Sequence, residues 1–89
     1  MPRAITREEA LLETIARVIA DETGAARPPR IRRGTRAGQI PGWDSLTHCR
    51  ILAGLEDSLR IRIDIDRTYE FGDVGELVDY LSELASFRD

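Results

Sequence analysis

The 89-residue sequence predicts an all-α domain of three main helices, a short helical turn before the last of them, and a long first loop. Three stretches place apolar residues at the i, i+3, i+4, i+7 spacing of an amphipathic helix. Each follows a residue suited to capping a helix N-terminus: Thr6, Asp44 or Asp73. The single stretch that alternates like a strand has no second alternating stretch to pair with, so it is expected as a connector.

The first helix is expected from about Thr6 to Glu22. Leu11, Leu12, Ile15, Val18 and Ile19 form its apolar stripe, and Gly24 is a plausible stop. Thr6 followed three residues later by Glu9 is a capping-box signature. Residues 23–43 contain Gly24, Pro28, Pro29, Gly34, Gly38, Pro41 and Gly42, which break any regular pattern and predict a long loop. Loops of this length are uncommon in compact domains and often functional. Ile31 and Ile40 are its expected anchors, with Trp43 packing where the loop re-enters the body.

The second helix is expected from about Asp44 to Leu59, with Leu46, Cys49, Leu52, Leu55 and Leu59 on one face. Thr47, Arg50, Gly54, Asp57 and Ser58 are expected on the other. Leu59 to Asp66 then alternates, and as a connector it would point Ile61 and Ile63 into a helical core. A helical turn is expected around Arg67–Tyr69. Asp73 caps a last helix reaching about Ser86, striped by Val74, Leu77, Val78, Leu81 and Leu84. The whole is expected to be one domain with its core at about residues 5–86.

Composition narrows the functional classes. Hydrophobic residues make up 42% and charged residues 33%, which fits a folded domain rather than disorder. One cysteine excludes an internal disulfide and the usual zinc clusters. No signal-like N-terminus and no run near the length of a bilayer span is present, so a cytoplasmic protein that does not insert into membranes is expected. Charge is unevenly placed. Residues 23–43 hold five Arg and no acid, whereas residues 44–89 hold five Arg and eleven acids. An acidic body therefore carries one basic loop.

Ser45 stands where the loop ends and the second helix begins. A helix N-terminus has unpaired N–H groups and a positive dipole, a favourable setting for a phosphate. No other catalytic group is convincing, so Ser45 is read as a covalent attachment point and the chain as a non-enzyme.

The segments around this serine resemble the acyl carrier protein family. Gly42-Trp43-Asp44-Ser45-Leu46-Thr47-His48 resembles its Asp-Ser-Leu attachment motif. Leu55-Glu56-Asp57-Ser58-Leu59-Arg60-Ile61-Arg62-Ile63 is similar to its Leu-Glu-Glu-x-Phe-Gly-Ile-x-Ile segment. The run from Phe71 to Leu81 resembles the opening of its last helix. The match covers about residues 5 to 84, and the three segments in this order are specific together where Asp-Ser-Leu alone is not.

The resemblance implies an acyl-carrier-like four-helix bundle with a short third helix. It implies 4′-phosphopantetheine, transferred from coenzyme A to Ser45 by a phosphopantetheinyl transferase, with Asp44 as motif residue and helix cap. Acyl groups would ride as thioesters on that arm. Partners would then be an acyl-loading ligase or acyltransferase and a downstream synthase, with the carrier a monomer. Leu46, His48, Arg50, Ala53, Glu56 and Asp57 are the expected partner-docking residues. Thr47, His48 and Arg50 stand near the serine where fatty-acid carriers commonly have acids, which points to a specialised stand-alone carrier. Asp rather than His before the serine leans away from a peptidyl carrier, while an aminoacyl or peptidyl carrier remains an alternative.

Other readings compete at several residues. Ser45 can be read as a plain solvated serine in a helical protein–protein docking module. The cluster Arg27, Arg30, Arg32, Arg33 and Arg36 can be a solvated loop, a docking element or a phosphate binder. Overall acidity and the lack of a nucleic-acid motif favour the solvated loop and predict no nucleic-acid partner. His48 and Cys49 are adjacent on a helix and cannot face each other. Cys49 is expected as a small core residue and His48 on the surface, and nothing resembles a metal site.

Overall fold

The computed structural model describes residues 4–86. They form four α-helices, and no strand occurs among the described residues. Helix α1 spans Arg7–Thr23, α2 Ser45–Leu59, α3 Ile65–Thr68 and α4 Val74–Ser86.

Local chemistry sets the helix boundaries. Thr6 Oγ1 accepts the Glu9 N–H at 3.1 Å, and the Glu9 carboxylate receives the Thr6 N–H, which closes the expected capping box. Gly24 ends α1 in the left-handed region, its N–H donating to the Ala20 carbonyl. Asp44 Oδ1 accepts the Thr47 N–H at 2.8 Å at the start of α2. Asp64 caps α3 through the Arg67 N–H, and Asp73 Oδ1 accepts the Glu76 N–H in the first turn of α4.

The core is built from Ile15 and Ile19 of α1, Ile51, Leu52 and Leu55 of α2, and Val74, Leu77, Val78 and Leu81 of α4. Of the alternating segment Leu59 to Asp66, residues 61–64 are an extended connector, as expected, whereas Leu59 ends α2 and Ile65 and Asp66 open α3, where Asp64 supplies a helix cap. Ile63 is buried and Ile61 half-buried against the core, while Arg62 and Asp64 face solvent. Two side chains hold it. The Glu56 carboxylate accepts the Ile63 N–H at 2.7 Å, and the Asp64 N–H donates to the Tyr80 hydroxyl at 2.9 Å. The buried Tyr80 ring lies edge-on to Phe71, with the Arg67 guanidinium 4.8 Å from its centre.

Residues 24–43 contain one 3₁₀ turn, Ala37–Gln39, and are fastened to α4. The Val74 N–H donates to the Thr35 carbonyl at 2.8 Å, and the Gly75 N–H to the Arg33 carbonyl at 2.7 Å. Two N–H groups that a helix leaves unpaired at its start are thus satisfied by the loop. The approach is close enough that a Cβ on Gly75 would lie 3.0 Å from the Arg33 carbonyl oxygen. The Arg33 guanidinium grips Asp79 with two hydrogen bonds, at 2.8 and 3.0 Å, and reaches Glu8 of α1 at 2.7 Å. Those bonds hold the Asp79 carboxyl below its ordinary range. Ile40 is buried, and Ile31 and Trp43 pack against the core from the loop, in their expected roles.

Helix α2 is rotated relative to the sequence expectation. Its buried residues are Thr47, Ile51, Leu52 and Leu55, whereas Cys49 is exposed and Leu46 is 63% exposed. Apolar residues occupy more than half the circumference of this helix, so periodicity alone leaves its orientation open. The fit to α1 decides it. A Cβ on Gly54 would lie 2.8 Å from Val18 Cγ1, so this glycine lets the two helices approach and faces α1 rather than solvent.

Gly54→Ala is accordingly expected to destabilise the fold by about 1–2 kcal/mol. Overpacking against a β-branched side chain outweighs the gain of about 1 kcal/mol in helix propensity. Urea unfolding monitored by circular dichroism measures the difference. A second variant should move the other way. Arg60 ends α2 at φ 54°, where the carrier-family pattern quoted above has glycine, and its N–H and that of Ile61 both donate to the Glu56 carbonyl. Left-handed backbone disfavours residues with a Cβ by roughly 1–2 kcal/mol. Arg60→Gly is expected to raise stability by about 0.5–1 kcal/mol in the same assay, the rest being offset by glycine's greater chain entropy.

Candidate functional site

Ser45 is the first residue of α2 and is exposed. The loop delivers it through a short series of backbone turns. The Trp43 N–H donates to the Ile40 carbonyl at 3.2 Å and the Asp44 N–H to the Gly42 carbonyl at 3.1 Å. The hydrogen bond from the Thr47 N–H, first among its causes, holds the Asp44 carboxyl below its usual range. Asp44 is therefore ionised near neutral pH, with that oxygen engaged as a cap.

Beside Ser45 lies an open depression bordered by Ala37, Trp43, Asp44, Ser45, His48 and Tyr69. It is formed where the 3₁₀ turn, the start of α2 and the end of α3 meet. Its walls include two aromatic rings, and its rim carries the serine hydroxyl.

His48 is part of the structure rather than a free surface group. Its Nδ1 accepts the Trp43 indole N–H at 3.0 Å, and its Nε2 lies 2.8 Å from Thr68 Oγ1. The Thr68 hydroxyl donates to the Ile65 carbonyl at 2.6 Å, so its oxygen is left to accept from His48. The network is consistent only with a neutral imidazole bearing its proton on Nε2. Burial lowers the His48 pKa from its ordinary value. The His48 ring also stacks at 4.5 Å, tilted by 35°, on Tyr69. The Tyr69 hydroxyl lies 3.2 Å from the exposed Cys49 thiol. Side-chain bonds thus tie the loop to α2 and α3 around the serine.

The expected docking residues divide into two groups. Leu46, Arg50, Ala53 and Asp57 are all exposed, and their spacing of four, three and four residues places them in one outward stripe of α2. Glu56 and His48 are not on it, being half-buried and bonded to the Ile63 backbone and to Trp43 and Thr68. Thr47 is buried as well. Of the three residues that set the serine's surroundings apart in the sequence, only Arg50 lies on the exposed stripe. The role of His48 could have been found from Trp43, whose indole N–H needs an acceptor when it packs at a loop end.

No group of His, Cys, Asp and Glu among the described residues could hold a metal ion. No helix among them is long and apolar enough to cross a membrane. Searches of protein-family models, of curated proteins and of solved structures returned no match to this chain.

The neutral His48 makes stability depend on pH. With its folded pKa below the ordinary 6.5, the unfolded chain binds more protons between the two values. The contribution is full above pH 6.5 and is lost as pH falls through the folded value. The urea midpoint is expected to be lower at pH 5 than at pH 7.5, and His48→Gln should flatten that dependence.

Proposed function

We propose that this chain is a specialised carrier protein that holds acyl groups on a 4′-phosphopantetheine arm esterified to Ser45. One observation carries the reading. Ser45 is exposed at the capped start of a 15-residue helix, beside an open depression, within the Asp-Ser-Leu pattern that resembles the family's attachment motif. The group would supply a terminal thiol that carries cargo as a thioester. The chain supplies the rest. The Ser45 oxygen is the ester anchor, and Asp44 fixes the turn that presents it. The positive end of the α2 dipole favours the phosphodiester. The Leu46–Arg50–Ala53–Asp57 stripe offers partner enzymes an apolar residue beside the serine and one charge of each sign. In this reading the chain catalyses nothing, and tethering raises the local concentration of cargo at each partner's active site.

The partners implied are a phosphopantetheinyl transferase, a loading ligase or acyltransferase, and a synthase, all in the cytoplasm. Arg50 is the residue that would distinguish them from the partners of an acidic fatty-acid carrier, because a rim charge acts chiefly on partner choice and association rate. The exposed Leu46 and Tyr69 also support a second reading, a docking module whose serine stays unmodified.

Co-expression with a broad-specificity phosphopantetheinyl transferase, followed by intact mass measurement, separates the two. A gain of one phosphopantetheine is expected on this chain and none on Ser45→Ala. An unmodified chain under conditions that load a control carrier would leave the docking module.

A further inference from the structure

The basic loop carries charge that the fold does not use. Of its five arginines, Arg33 alone is in an ion pair among the described residues, with Glu8 and Asp79. Arg27, Arg30 and Arg32 stand exposed within a run of six residues that holds no acid. That run passes beside a shallow groove. Pro29, Arg30 and Ile31 border the groove on the loop side, and Leu12, Glu13 and Ala16 of α1 border it on the other. Pro29 and Ile31 are half-buried while Pro28, Arg30 and Arg32 are exposed, so the run keeps its apolar side chains against the body and its cations in solvent. We infer that this groove, with Arg27, Arg30 and Arg32 at its edge, docks an acidic segment of a partner protein that places an apolar side chain between its carboxylates.

Charge and lining both select that partner. Leu12, Ala16 and Ile31 give the groove apolar walls, which gain from covering an aliphatic side chain. A phosphodiester backbone has nothing apolar to place there. The positive charge is also local, because the whole chain has a net charge of −3. An extended polyanion, whether nucleic acid or an anionic membrane, would reach past the loop to the acidic remainder, whereas a short acidic segment ends within the patch. On the α1 side, Glu13 is followed one turn later by the exposed Arg17, so that wall is nearly neutral and the attraction comes from the loop. Pro28 and Pro29 fix their own φ angles, and the bonds from the Arg33 and Thr35 carbonyls to α4 hold the turn that follows. The backbone of this face therefore has little left to order on binding.

The inference does not rest on modification of Ser45, and its face shares no residue with the Leu46–Arg50–Ala53–Asp57 stripe. The probe is the capped peptide acetyl-Asp-Glu-Leu-Leu-Glu-Asp-amide, titrated at low salt into the isotope-labelled full chain and followed by amide NMR. Amides of Glu13, Ala16, Arg30, Ile31 and Arg32 are expected to shift, and those of Leu46 and Ala53 to stay. Replacing both leucines of the peptide by serine should remove most of the shift at Ala16 and Ile31. Arg30→Gln combined with Arg32→Gln should weaken binding roughly fivefold, since each exposed ion pair contributes only a small factor. Both side chains are exposed and outside any ion pair among the described residues, so that variant is expected to fold. No shift at the groove overturns the inference, as do equal shifts from the serine peptide or undiminished binding by the double variant. Equal shifts from a short DNA strand of the same charge overturn it in favour of nucleic acid. Shifts of the same amides with protein concentration alone overturn it in favour of a second copy of this chain.

Discussion

The two hydrogen bonds by which the Arg33 and Thr35 carbonyls receive the first N–H groups of α4 are the contact on which the rest of the molecule depends. Residues 24–43 have almost no regular structure of their own, and ordering them costs conformational entropy at every position. Two backbone bonds, the Arg33 ion pairs with Glu8 and Asp79, and the burial of Ile40 offset that. With the loop held across α1 and α4, its far end must arrive over the core at Trp43. That arrival places Asp44 to cap α2 and Ser45 on its first turn.

The helices were legible because their signals agree at several levels. The Thr6–Glu9 box, the Gly24 stop and the Asp44 and Asp73 caps mark boundaries independently of the apolar stripes they enclose. The connector was legible for a different reason: an unpaired alternating segment can satisfy its backbone only through side chains, here Glu56 and Tyr80. What could not be read was which way α2 faces. Ile51 and Gly54 settle it, and the reason is a distance to Val18, an object that exists only once α1 is in place. Arg33 was hidden for the same reason, since nothing local distinguishes it from Arg32 until Asp79 is folded against it.

The site shows the same division between local and distant information. That Asp44 caps α2 and Ser45 opens it was legible from their immediate neighbours, because helix starts are local structures. His48 was expected on the surface because its partners, Trp43 and Thr68, come from two other elements. With His48 half-buried and Thr47 buried, Arg50 is the one of these three neighbours that stands on the exposed stripe of α2.

The closeness of Gly75 to Arg33 has a consequence in time as well as in space. The loop's fastening lies on a helix that begins some forty residues after Arg33, so the contact closes late in the chain. During synthesis, α1 and the loop leave the ribosome before α4 exists to receive them. The turn that displays Ser45 is therefore held in place only after residues 74–79 have emerged.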